Sequence, residues 1–536
     1  MTNRDTKAHN LPDSSLFLRN PARRQFGLGI MAAVSLVALT AFTPLWAAEA
    51  VKGGAVNLAM TGEPQSLDPM QSTADLVGTI MQHVFETLYS FDANWQIQPM
   101  LAAAQPKVSG DGLVVTIPLR KGVKFHNNQI MTADDVLASL NRWMQMTPRG
   151  KAVAANLDGL TVTAGGEIEF KFKTPYAPLL AQLALPSGMA AIMPKEAIAT
   201  PLTQFIGTGP YQLKERKPDQ YTILSRFDGY SARTEAASGY AGKRVALLDE
   251  LRFVPVANAD TRVEGALSGQ FHYSDFLPVE SVGRFEKAAP AVVPIITQNF
   301  GFPYIVVNAK EGVLANVEMR RALQAAASPK EMLKGAFGED RFFVAQGNFF
   351  PKNTPYYSTA GVGSYDQNNP TGAKAMATKA GYMGEPIRIM VSRQYEFHYT
   401  MALVFAEQLK RAGFAVDIQT VDWATLVTRR ADPKLWDVFF THSPTLPEPM
   451  LSPPQLGDGA PGGWDSPAKK EAIAAFNRET NLGKRAALWG KVQQVVYDEV
   501  PFIEVGKYNA LSARSARLQN YTPSSWPAFW NVSLKP

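Results

Sequence analysis

Apolar positions recur along this chain with two periods. At residues 56–60, 114–119, 167–172 and 221–226 they alternate with polar ones or form short runs, which predicts strands; at 133–146, 317–327, 399–412 and 485–498 they return every three to four residues, which predicts helices. The two kinds of element are mixed throughout, so an α/β fold is expected. The helix from Ala133 shows the local logic: Thr132 and Asp135 make a capping-box pattern, and Val136, Leu140 and Trp143 then fall on one face. Loops rich in proline, glycine and asparagine at 352–372 and 443–467 are long for simple connections and are expected at a surface or a cleft.

The first fifty residues follow another pattern. Arg23 and Arg24 precede an uncharged apolar run that lasts to Ala48, and Ala48-Glu49-Ala50 is a small-x-small cleavage site. These features predict a twin-arginine-type signal peptide over 1–50, with the mature chain starting near Val51 and exported already folded. No later apolar stretch is long enough to span a membrane, so a periplasmic protein is expected. Removing the leader lowers the formal net charge from +6 to +4. The remaining positive residues are dispersed, which argues against nucleic acid as a partner. The 486 residues that remain suffice for about three domain-sized units. The absence of cysteine excludes a disulfide framework, a thiolate metal site, a cysteine nucleophile and a lipidated cysteine anchor. A freely diffusing monomer is expected.

Catalytic signatures are sparse. The six histidines show no metal-ligand spacing, and there is no HExxH, GxSxG or phosphate-binding loop, so no metal, cofactor or catalytic residue is assigned. His126 and His398 read as ordinary polar or capping residues. Gly27-x-Gly29-x-x-Ala32 has the outline of a dinucleotide fingerprint but lies in the leader. Ser466-Pro467-Ala468-Lys469 matches SxxK formally, yet serine before proline is a helix N-cap with proline at the first helical position. A hydrolase and a chaperone-like peptide-binding factor are the alternatives to a binding protein, and no set of nucleophile, base and oxyanion donors can be assembled for the first of them.

Five stretches, in order, resemble the family 5 solute-binding proteins of ABC importers, the oligopeptide, dipeptide and nickel binders. They are Gly53-Gly54 with Thr61-Gly62-Glu63-Pro64-Gln65-Ser66-Leu67-Asp68-Pro69; Leu119-Arg120-Lys121-Gly122-Val123-Lys124-Phe125-His126-Asn127 with Thr132-Ala133-Asp134-Asp135-Val136; Gly207-Thr208-Gly209-Pro210-Tyr211; Val317-Glu318-Met319-Arg320-Arg321-Ala322-Leu323; and Leu409-Lys410-Arg411-Ala412-Gly413-Phe414 with Asp422-Trp423. Each also has a plain reading: Gly209-Pro210 is a turn, Gly413 a helix C-cap, and Arg320 a surface charge or a contact. The resemblance implies a two-lobed periplasmic binding protein type II fold. The first lobe would span 51–300, with an extra subdomain at about 90–205, and 506–536 would return to it; the second lobe would span 301–505. Crossover strands are expected near 304–308 and 502–507. The implied function is that of a periplasmic substrate-binding component, closing two lobes on a small carboxylate-bearing, peptide or peptide-like solute and delivering it to an inner-membrane ABC permease.

In an open α/β lobe, ligands collect beyond the carboxyl ends of the strands. Arg393 and Tyr395 follow a strand at 387–391, and Arg393 is the candidate for a ligand carboxylate. Trp423, after a strand at 416–421, is a candidate stacking wall, and Trp464 a candidate to close over it. Gly62, Glu63 and Gln65 resemble the family's cleft-lining turn. After the strand at 436–440 the family's peptide binders commonly carry an aspartate that pairs with the peptide amine. Here the stretch reads Thr441-His442-Ser443-Pro444-Thr445-Leu446-Pro447-Glu448-Pro449, leaving Glu448 as a possible substitute and His442 as a neutral hydrogen-bonding group. A solute other than a simple free-amine peptide, such as an opine-like compound, a sugar acid or chelated nickel, therefore stays open.

Overall fold

The computed structural model describes residues 52–536 apart from 65, 73, 353, 394, 452 and 453. The expected signal peptide and Gln65 lie outside the described residues. Among those residues a twelve-stranded mixed sheet runs through the protein. At one end are Tyr211–Lys217, Tyr221–Arg226, Glu250–Pro255, Ala55–Met60 and Tyr273–Leu277; at the other are Val438–Pro444, Ile387–Ser392 and Val416–Val421. Val292–Val307 and Lys507–Ser515 lie between them. Ile387–Ser392 is parallel to both of its neighbours. Parallel pairing requires a crossover, and the helix Glu396–Arg411 supplies one.

Val292–Val307 links the two ends. Its first part, Val292 to Thr297, pairs with Ser515 to Ala510, and its last part, Gly301 to Val307, pairs with Pro444 to Val438. Between them the register shifts, and Asn299 takes a φ of 50°. Gly301 is required there because a Cβ would come within 2.7 Å of the Tyr508 ring. The strand expected near 304–308 is thus the second half of a longer element. Phe502–Glu504, at the place expected for a second crossover, pairs antiparallel with Val306 to Tyr304.

The C-terminal segment packs into the same core as the N-terminal strands. Trp526, Phe529, Trp530 and Val532 are buried in the cluster that holds Val56, Leu58, Phe85 and Phe253, and the Phe529 N–H donates to His83 Nε2 at 2.9 Å. Burying each of these large side chains is worth about 1.5–3 kcal/mol. A separate four-stranded sheet, ordered Lys107–Val108, Val114–Ile117, Ile168–Phe172, Leu157–Val162, forms within the stretch expected to hold an extra subdomain. The helix Ala133–Met146 buries Val136, Leu140 and Trp143, as its pattern predicts, and starts with the Thr132–Asp135 capping box.

The motifs prove to be structural joints. Asp68 accepts the Met70 N–H and forms a buried ion pair with Arg142 of that helix. Gly207 and Gly209 pass so close to the chain at 83–84 that a Cβ would meet Val84 O at 2.0 Å or His83 O at 2.3 Å. His126 holds the same turn, accepting from Gly207 N–H and bonding to Gly209 O at 3.0 Å. Arg320 is no surface charge: it is buried and donates to the carbonyls of Glu499, Leu314 and Ala315.

Candidate functional site

Three neighbouring strands of the second lobe run in the same direction, so their carboxyl ends deliver side chains to one edge. Ile387–Ser392 leads to Arg393 and Tyr395, Val416–Val421 to Trp423, and Val438–Pro444 carries His442 near its end. Asp422 caps the helix Trp423–Arg429 by accepting the Thr425 N–H, which fixes where Trp423 begins the first turn.

These residues form an aromatic wall. The Tyr395 ring lies 4.9 Å from Trp423 and 4.8 Å from His442, both edge to face. His442 Nδ1 is 3.1 Å from Nε2 of His398, which stacks on Trp423 at 5.9 Å. Phe397 and Tyr508 extend the wall, the latter 6.2 Å from His442. Burial pushes the His442 imidazole down to about 4, and burial followed by the His442 charge pushes His398 well below the usual range. Both rings are neutral near pH 7, so the 3.1 Å contact is one N–H donating to one bare nitrogen. The wall is polarisable and carries no formal charge.

Arg393 stands beside it. The side chain is exposed, its guanidinium lies 4.3 Å over the Tyr399 ring, and it has no acidic partner among the described residues. The arginine is therefore oriented by an aromatic face while its donors stay available.

Two other expected residues are committed elsewhere. Glu448 is buried, and Arg485 grips its two carboxylate oxygens at 2.6 and 2.7 Å while the Tyr356 hydroxyl donates at 3.2 Å. This network removes Glu448 as a partner for a ligand amine. Trp464 is a core residue, with its indole N–H donating to Glu499 and Lys469 over its ring, and it does not close on Trp423 as expected. In the first lobe Glu63 is bound by Arg216 at 2.6 and 3.1 Å, and Gly62 has open space where a Cβ would stand. Among the described residues no group of three histidine or carboxylate side chains comes together to hold a metal ion.

Residues 96–461 match the family model of bacterial extracellular solute-binding proteins, family 5 Middle. The chain belongs to this family. Among relatives of this solute-binding protein is a probable peptide ABC transporter periplasmic-binding protein, y4tO, of Sinorhizobium fredii, 25% identical over 526 residues, 94% of this chain and 97% of that one. Another is the glutathione-binding protein GsiB of Pectobacterium atrosepticum, 22% identical over 92% of this chain and 95% of that one. The fold matches the periplasmic binding protein DppA of Helicobacter pylori in complex with the peptide STSA, with a TM-score of 0.75 and 21% identity over 91% of this chain and 99% of that one. It also matches AgaA of A. tumefaciens R10 in complex with agropinic acid, with a TM-score of 0.74 and 20% identity over 90% of this chain and 99% of that one. The two-lobed type II architecture follows, and with it the role of a periplasmic substrate-binding component of an ABC importer.

Sequence reasoning missed three parts of the wall. His398 lies on the helix Glu396–Arg411, three residues after Tyr395, and that spacing at the start of a helix placed at a strand's carboxyl end was the available signal. Phe397 follows from the same placement. Tyr508 lies on the crossing strand Lys507–Ser515 and gave no local signal of its position.

Proposed function

We propose that the solute is a small carboxylate-bearing molecule, a peptide or a peptide-like acid, which this solute-binding protein presents to an inner-membrane permease without altering it. The observation that carries this reading is Arg393, an exposed guanidinium without an acidic partner among the described residues, after the carboxyl end of the strand Ile387–Ser392 and over Tyr399 beside the aromatic wall. A carboxylate accepting both forks of the arginine would place the rest of the solute against Tyr395, Trp423 and His442. The binding of peptide STSA to DppA and of agropinic acid to AgaA supports the choice of an acidic solute on this fold. Closure follows from differential contact, because a solute touching both lobes stabilises only the closed arrangement.

The test is a thermal-shift screen of the mature protein with peptides and other small acids, each beside its carboxamide. Acids should stabilise the folded state by RT ln(1 + [L]/Kd), which raises Tm, and be recovered unchanged, whereas their carboxamides should shift Tm less. Equal shifts from acid and carboxamide would overturn the assignment of Arg393.

A further inference from the structure

The aromatic wall continues into a cavity of about 360 Å³ that both lobes line. Phe337 and Phe397 come to it from the second lobe, Phe276 and Leu277 from the first, and Tyr508 and Leu511 from the crossing strand Lys507–Ser515. Phe397 and Tyr508 belong to wall and cavity alike, with their rings 5.4 Å apart. Phe337 stacks on Tyr508 at 5.8 Å and lies 5.5 Å from Phe397. The first-lobe ring joins the same group, because Phe276 lies 5.7 Å from Phe300, which lies 5.9 Å from Tyr508.

Phe276 stands there at a cost to the backbone. It takes a φ of 45°, a conformation that a bulky side chain rarely adopts. The cause is a bulge: between Ser274 and Leu277 the strand Tyr273–Leu277 shifts register against Lys507–Ser515. A bulge re-aims a side chain away from the direction that strand alternation would give it. Buried Arg262 pins this one, donating to the carbonyls of Asp275 and Phe276 and to those of Val256 and Ala257. The Phe276 ring is left half-buried, with surface to offer a ligand. Backbone strain of this kind persists where the placed group has a task.

The lining suits an apolar group and little else. Arg262 also lines the cavity, but four carbonyls take up most of its donors. The other charged residues there, Glu280 and Glu396, are exposed and negative, so a second carboxylate would meet like charge. A string of hydroxyls would find few partners, since the Asn509 amide already donates to the Arg341 carbonyl and accepts the Asn299 N–H. The volume is more than twice the ~150 Å³ of an apolar cavity that takes up benzene, enough for an aromatic ring or a branched chain. We propose that this cavity receives a bulky apolar group of the solute and that Phe276 sets the preference for it. The proposal rests on the reading of the protein as a binder of small acids and narrows the solute to a hydrophobic acid, excluding sugar acids and dicarboxylates. A group seated there touches both lobes at once, which favours the closed arrangement.

Calorimetric titration of the dipeptides Ala-Phe, Phe-Ala, Ala-Leu, Ala-Ala and Ala-Asp, and of gluconate, into wild type, Phe276→Ala and Phe276→Leu tests the proposal. In wild type the better phenylalanine dipeptide should bind about 10-fold or more tightly than Ala-Ala, with Ala-Asp weaker than Ala-Ala. Phe276→Ala should cut the phenylalanine-to-alanine ratio to about threefold or less, and Phe276→Leu, which keeps an apolar side chain at the bulge, should retain most of it. The ratio is taken within one variant, so a loss of folded protein does not imitate the effect. Equal binding of the phenylalanine, alanine and aspartate dipeptides in wild type, or an unchanged ratio in Phe276→Ala, would overturn the proposal. Binding of gluconate or Ala-Asp alone would overturn it and leave the acid-binding reading standing. Binding of none of these acids, nor of any in the thermal-shift screen, would remove both.

Discussion

Glu448 and Asp75 are carboxylates of one protein with opposite fates. Glu448 lies inside the second lobe, its charge neutralised by a two-pronged arginine and a tyrosine hydroxyl from the same chain. Asp75, the first residue of the helix Asp75–Met81, is exposed; its Oδ1 accepts the indole N–H of Trp526 at 2.9 Å, and it is in no ion pair among the described residues. A buried charge needs its counter-ion at all times, so the fold must provide it. An exposed charge is screened by water and needs no fixed counter-ion. What distinguishes the two carboxylates is the source of their compensation, a fixed arginine for one and solvent for the other.

The contrast breaks most visibly at Arg485. Arg485→Ala should cost about 3–5 kcal/mol of unfolding free energy, because it strands Glu448 in the interior, and the loss is read from urea denaturation. Replacing both members, as Glu448→Leu with Arg485→Met, should cost less than the single change. Asp75→Asn should do the reverse: its urea midpoint should hold within about 0.5 kcal/mol, because asparagine keeps an acceptor for Trp526 and no ion pair is lost.

The histidines of the wall extend the contrast to pH. Folding holds His442 at about 4, below its unfolded value, so its contribution is complete above about pH 6.5 and is lost as pH falls toward 4. The unfolded chain binds the extra proton in that window, and the slope is at most about 1.4 kcal/mol per pH unit for each such ring. Denaturation midpoints from pH 7 to 4 should show a shallower fall in His442→Phe. Arg393→Ala gives the smallest effect, about a fivefold loss of affinity for acidic solutes with carboxamides unaffected, because an exposed ion pair is worth little in water.

Much of the fold is legible from local pattern. The helix at 133–146 and its capping box, the strands at 387–391 and 416–421, and the cap at Ser466 all appear where periodicity and end signals put them. Tyr395, Trp423 and His442 come together because the carboxyl ends of adjacent parallel strands are neighbours, a rule that needs no coordinates. The errors have one physical cause. Sequence places Glu448 only in a loop, but its role depends on Arg485, 37 residues further on, and that of Trp464 on Glu499, 35 residues away. Asp75 is the extreme case, since its holder Trp526 lies 451 residues along the chain. Periodicity reports which face of an element is buried; it does not report which charge meets which.

The placement of Trp526, Phe529 and Trp530 in the first-lobe core also orders events during biosynthesis. The strand Ala55–Met60 is among the first parts of the described chain to be made, but the aromatic rings that fill the core beside it arrive among the last dozen residues. The second lobe can therefore emerge whole from the ribosome and fold while the first is still missing its centre, reversing the usual precedence of N-terminal regions. A product that stops before Trp526 would leave the core around Val56, Leu58 and Phe253 unfilled, and the cell's proteases would meet it as an unfinished protein.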